Sequence, residues 1–165
     1  MDFSLEHSFD APVDSLARAL LDRGFQDSLA DVGSLAERKV LSQEESPDGG
    51  VVRRTRCVLD VDVSGPARKL MGDGDPSWVE EARWDPAQSR WEWVIHPEVA
   101  GHLLTASGVT EVTGDDGRST RRVTGRIKVH VPLYGGKVEG WIRDGIEAAY
   151  EEEAERLAQW LDGRS

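Results

Sequence analysis

The run VHVPLYGGKVEGWIRDGI, residues 129–146, changes period in its middle. Before Gly135 it alternates like a strand; after Gly136 its apolar residues Val138, Ile142 and Ile146 recur at helical spacing. A Gly-Gly-Lys step between strand and helix raises the question of a phosphate loop. A Walker-type loop needs G-x-x-x-x-G-K-[ST], and here the spacing is absent and Val138 stands where the hydroxyl is required. Lys137 at a helix N-terminus would attract an anion, but the simpler reading is a tight corner. Two glycines permit backbone angles closed to other residues at such a turn.

Downstream of the corner, Val138, Ile142, Ile146, Ala149, Tyr150, Leu157 and Leu161, with Ala154 bridging, form one apolar stripe. The spacing predicts a helix over 136–161, spanning roughly 39 Å at about 1.5 Å per residue. Glu151, Glu152, Glu153 and Glu155 read as mostly its solvated side.

Upstream, the period is two. Leu103–Thr113 and Arg118–Val131 flank Asp115-Asp116-Gly117, and an Asp116-Gly117 turn sets Glu111 opposite Arg122. Trp78–Trp84 and Trp91–Ile95 surround the loop Pro86-Ala87-Gln88-Ser89. That pairing puts Trp84 opposite Trp91 and Ala82 opposite Trp93, so Trp78, Trp84, Trp91 and Trp93 share one face of one ribbon. Ser34–Ser46 and Val51–Val63 flank Pro47-Asp48-Gly49-Gly50. An Asp48-Gly49 turn there sets Glu44 opposite Arg53 and Val40 opposite Cys57. Residues 64–76 read as a loop, with one helical turn at Pro66–Met71.

At the N-terminus, Phe3, Leu5, His7 and Phe9 alternate with polar residues in a strand that Asp10-Ala11-Pro12 ends. Val13, Leu16, Ala17, Leu20 and Leu21 then give a helical stripe with Gly24 as its C-cap, and a second short helix runs from Phe25 to about Val32. Consecutive hairpins imply an antiparallel sheet, because parallel strands need crossover connections. Its apolar face needs a cover, and the final helix is the only element long enough.

Residues 3–22, FSLEHSFDAPVDSLARALLD, resemble the start of START-like (SRPBCC, polyketide-cyclase and lipid-transfer) proteins, where a strand leads through an Ala-Pro-x-Asp/Glu corner into a helix. The ending VHVPLYGGKVEGWIRDGIEAAYEEEAERLAQWL resembles one uncharacterised bacterial branch, the domain-of-unknown-function 2505 family, with its Pro-x-x-Gly-Gly-Lys-x-Glu corner. The resemblance implies an α+β helix-grip fold. About seven antiparallel strands form a curved sheet wrapped on a long C-terminal helix, with two short helices after the first strand. It also implies a cavity between sheet and helix that commonly holds hydrophobic ligands, and it carries over no catalytic motif.

Composition bounds the rest. The 165 residues suit one domain over 1–165. A formal net charge of -11 argues against nucleic-acid binding and against docking on anionic lipid. The single cysteine, the lack of a secretion-signal pattern and the lack of a long apolar run point to a cytoplasmic protein with no membrane insertion. The cluster His96, Glu98 and His102 matches no familiar zinc spacing, and Pro97 interrupts it, so no metal and no cofactor are expected.

Candidate cavity walls are Trp84, Trp91, Trp93, Cys57, Ile142, Ile146 and Tyr150. His7 is either a satisfied core histidine or the polar group that orients a ligand. His130 falls on the solvent side of its strand. Cys57 shares its face with Leu59 and Val61 and reads as a small buried hydrophobe. The sequence therefore predicts a protein that binds a small hydrophobic molecule, with no catalytic residue assigned. The alternatives are a cyclase/aromatase-type enzyme using His7 or Tyr150 in the same pocket, and a filled-core module whose surface binds another protein.

Overall fold

The structure is a computed structural model, and it describes residues 1–60, 65, 68–69 and 73–163. Its strands are β1 (Asp2–Phe9), β2 (Leu35–Glu45), β3 (Val51–Leu59), β4 (Ser77–Asp85), β5 (Arg90–Pro97), β6 (Leu104–Gly114) and β7 (Ser119–Val129). Its helices are α1 (Val13–Leu21), α2 (Arg23–Ser28) and α3 (Gly135–Asp162), with a short 3-10 turn at Gly101–Leu103. All seven strands lie in one antiparallel sheet in the order β1-β7-β6-β5-β4-β3-β2. From β2 to β7 the chain runs as a meander, and β1 closes the far edge beside β7.

Alternation decides which face is inside. Phe3 and Phe9 on β1, Val123, Ile127 and Val129 on β7, and Trp91 and Trp93 on β5 are buried beneath the helices. The two later hairpins have the register expected of them: Trp84 pairs Trp91, Ala82 pairs Trp93 and Glu111 pairs Arg122. The first hairpin does not. Gln43, not Glu44, stands opposite Arg53, and Arg38, not Val40, stands opposite Cys57. The loop holds three residues, Pro47-Asp48-Gly49, closed by a 2.8 Å bond from Ser46 N to Gly50 O, with Gly49 left-handed at φ +85°. That shifts the pairing by one, and irregularities between Leu35 and Glu37 and between Val40 and Ser42 shift it further.

Helix boundaries also differ, since α2 runs Arg23–Ser28 and not from Phe25 to about Val32. Gly24 is not the C-cap of α1, because α1 ends at Leu21 and Gly24 sits inside α2. Asp22 makes the break: its backbone is extended at ψ 122°, and its carboxylate accepts from Phe25 N at 3.1 Å, an N-cap for α2. Of the turn expected at Pro66–Met71, only Arg68 and Lys69 fall among the described residues, and both are helical. The expected strand end at Val61–Val63 lies outside them.

The corner at Gly135-Gly136 works by proximity. Neither glycine has a positive φ; the left-handed residue is Leu133, at φ +67°. A Cβ on Gly135 would stand 2.7 Å from the carbonyl oxygen of Val129, whereas one on Gly136 would meet open space. Glu139 then reaches back to accept from Val129 N at 2.9 Å, so the last residue of the Gly-Gly-Lys-x-Glu corner pins α3 to β7.

Candidate ligand-binding site

Trp93 lies across a hollow in the sheet floor. It faces Gly108 in register, and Gly108 faces Gly125. A Cβ at Gly108 would come within 2.4 Å of the Trp93 ring, and one at Gly125 within 2.8 Å. Phe3 packs beside it at 6.2 Å between ring centroids, and Trp84 packs on Trp91 at 5.5 Å. Trp84, Trp91, Trp93 and Cys57 are all buried. Trp78 is half-buried at the other end of the ribbon.

Above this floor α3 is anchored unevenly. Its fully buried positions are Glu139, Ala154 and Leu157. Val138, Ile142, Ile146 and Tyr150 pack against the core yet remain half-buried. On the sheet opposite, Trp78, Glu80, Ile95, Leu104 and Ala106 are half-buried as well, although their parity points them inward. Both facing surfaces thus stay partly exposed to solvent. Clefts of about 490 Å³, around Arg56, Asp75 and Glu98, and of about 180 Å³, around Phe9 and Leu161, lie elsewhere. The first is an open surface cleft crossed by the Arg56–Glu98 ion pair at 2.9 Å, and it does not touch the tryptophan floor.

The inner face is more polar than its aromatic residues suggest. Arg53 and Arg121 are 7% and 1% exposed. Arg53 lies 4.4 Å from the Trp91 ring and donates to the Leu20 carbonyl at 2.8 Å. Gln26 of α2 donates to the same carbonyl, and Gln43 of β2 to that of Leu21, so side chains of the sheet and of α2 satisfy the C-terminus of α1. Arg121 joins three elements: it donates to Glu153 at 2.6 Å and to the Tyr150 carbonyl at 3.2 Å, and it lies 3.3 Å from His7 Nδ1. His7 Nε2 is 3.0 Å from Glu151. With Arg121 donating to Nδ1, the ring donates from Nε2. Both nitrogens of His7 thus have protein partners, which makes the residue a tie between β1 and α3.

Several polar groups nearby are left over. Glu80 makes no side-chain hydrogen bond among the described residues, and Thr55 Oγ1, on the residue directly across from it, is buried without a partner. So are Arg53 Nε and the indole nitrogens of Trp91 and Trp93. Burial raises the Glu80 carboxyl above the usual range, against the pull of Arg53 and Arg38. Burial also raises the Tyr150 phenol, and among the charges that act on it Glu80 comes first. Cys57 is pushed up to about 12 by burial and then by Glu80, so its thiol stays neutral and packs as an apolar wall. Arg53 comes down to about 10 through burial and remains a cation at neutral pH.

The sequence reading brought Cys57, Tyr150, Ile142, Ile146 and the tryptophans to this face but passed over Arg53, Thr55 and Glu80. Their parity was legible: Glu80 shares the parity of Trp78 and Ala82, and Arg53 and Thr55 share that of Val51 and Cys57.

The model of the family "Protein of unknown function (DUF2505)" matches residues 4–161. The chain belongs to the DUF2505 family. No curated protein matches it. Solved structures share the DUF2505 chain's fold at low identity. TTHA0849 from Thermus thermophilus superposes with a TM-score of 0.70 at 16% identity, over 100% of this chain and 99% of that one. A START superfamily protein from Mycobacterium smegmatis gives 0.60 at 12%, covering 99% of each chain. The Zhui aromatase/cyclase from Streptomyces sp. R1128 gives 0.58 at 15%, over 99% and 93%. The seven-stranded sheet and long terminal helix are therefore the helix-grip, START-like fold. Among the described residues no helix is long and apolar enough to cross a membrane, and none of their His, Cys, Asp and Glu side chains group as a metal site.

Proposed function

We propose that this DUF2505 protein binds a small, mostly hydrophobic molecule between the sheet and α3. The observation that carries the reading is the pair of facing surfaces, Trp78, Ile95 and Ala106 below and Ile142, Ile146 and Tyr150 above, that stay half-buried beside a tightly packed aromatic floor. Apolar side chains left half-open on both sides of one space gain about 25 cal/mol for each Å² that a ligand covers. The START superfamily neighbour, which shares the fold over its whole length, supports the same reading. Native mass spectrometry of the purified protein, with organic extraction, tests it: a co-purifying hydrophobic compound or competition by an added one is expected. A protein that carries none and accepts none would refute it.

A second reading is acid–base chemistry in the same space, of the kind named for the aromatase/cyclase neighbour. It draws on Tyr150 and Glu80, two titratable groups without a side-chain hydrogen bond among the described residues, the charge of Glu80 helping to raise the Tyr150 phenol. Incubation of the extracted compound with the protein separates the readings: unchanged mass supports binding, and a defined product supports catalysis.

A further inference from the structure

Resting on the binding reading, we infer that Glu80, Thr55, Arg53 and Tyr150 form a polar subsite that receives the uncharged, hydroxyl-bearing end of the bound molecule. The residues come from three elements. Arg53 and Thr55 are inward positions of β3, Glu80 is the cross-strand partner of Thr55 on β4, and Tyr150 comes down from α3. Within this patch Thr55, 2% exposed, and Arg53, 7% exposed, each keep a buried polar atom without a partner, and Glu80 makes no side-chain hydrogen bond among the described residues. The two buried atoms without a partner among the described residues, Thr55 Oγ1 and Arg53 Nε, each cost stability, and the half-buried Glu80 carboxyl lies directly across from Thr55. A partner that both donates and accepts removes that cost, because a carboxyl accepts while a guanidinium donates.

Charge narrows the class. A carboxylate head would meet Glu80, and Glu153 lies within electrostatic range of the same group. An ammonium head would meet Arg53, with Arg38 within electrostatic range of it. Either ion faces a like charge in a poorly solvated place. A hydroxyl faces none and offers both hydrogen-bond roles. The apolar remainder of the molecule then runs between Ile95 and Ile142, on facing surfaces.

The test uses the full chain and N-phenyl-1-naphthylamine, an uncharged fluorescent probe, displaced by 1-decanol, decanoate or decylamine at pH 8. We expect the probe to bind and decanol to compete about tenfold more tightly than either ion, the worth of one well-made polar contact. Glu80→Gln should bring decanoate to within about threefold of decanol. Thr55→Val, nearly isosteric, should weaken decanol several-fold more than it weakens decanoate or decylamine. If the probe does not bind, the binding reading itself fails and this inference falls with it. If the probe binds but the competitors are equal, the space is apolar and its unpaired groups hold only water. A preference for decanoate or for decylamine overturns the inference too, since one charge then dominates the site. Circular dichroism of each variant confirms the fold, so a lost preference is not lost structure.

Discussion

Burial holds the Glu80 carboxyl above its ordinary value of 4.5, and the direction of that shift decides how stability follows pH. The folded state binds this proton more tightly than the unfolded chain does. The contribution of Glu80 is therefore fully present below 4.5 and is lost as pH rises through the raised folded value. Glu80→Gln, which cannot ionise, should raise the midpoint of urea unfolding at pH 8 and leave it nearly unchanged at pH 4. A variant less stable than the parent at pH 8 would contradict this. Glycine positions divide just as sharply. A Cβ at Gly108 would lie 2.1 Å from the Thr124 carbonyl oxygen as well as against Trp93, and backbone cannot yield as a side-chain tip does. Gly108→Ala should cost about 1–3 kcal/mol in chemical denaturation. Gly145, inside α3, faces open space at an ordinary helical angle, and Gly145→Ala should add about 0.5–1 kcal/mol.

Elements are held by a few polar fastenings, each traceable to one residue. Asp22 ends α1 and caps α2, so Asp22→Ala should lose about 1 kcal/mol and fray the turn before Phe25, seen as faster amide exchange at Phe25. Arg121 binds β7 to α3 through Glu153 and to β1 through His7, almost wholly out of solvent. Replacing it with Met leaves Glu153 without its cation, and a loss of about 3 kcal/mol is expected by thermal or urea unfolding. At the helix start, Glu139 caps the free N–H of Val129, which explains an acidic residue in a corner whose glycines alone suggested only flexibility. The α3 helix is thus tied at its first turn and again from the Arg121 contacts onward. Its middle carries Gly140 and Gly145, neither with a neighbour at the Cβ position, and that is the span standing over the proposed site.

At the scale of the molecule, the expected seven-stranded sheet with its long helix across the inner face was legible because periodicity is a local property. Each strand shows its two-residue repeat, each hairpin its turn residues, and α3 its stripe, all within a window of a few turns. Two of three registers followed from the loop lengths read at Pro86–Ser89 and Asp116-Gly117; the third slipped because its loop holds three residues, Pro47-Asp48-Gly49, rather than two. The candidate site was legible only in part. Parity along single strands places Trp84, Trp91, Trp93 and Cys57 on one face, and it equally places Arg53 and Glu80 there. What parity cannot tell is which inward polar groups meet a partner. His7, Arg121 and Gln43 find theirs on α1 and α3, whereas among the described residues Glu80 and Thr55 make no side-chain hydrogen bond. The sequence by itself determined the order of elements, the inner face and the corner that starts α3. Only the tertiary structure decided which charges on that face are spent on holding helices and which keep no side-chain hydrogen bond among the described residues, because satisfaction of a buried group depends on atoms more than a hundred residues away, as in the contact of His7 with Glu151.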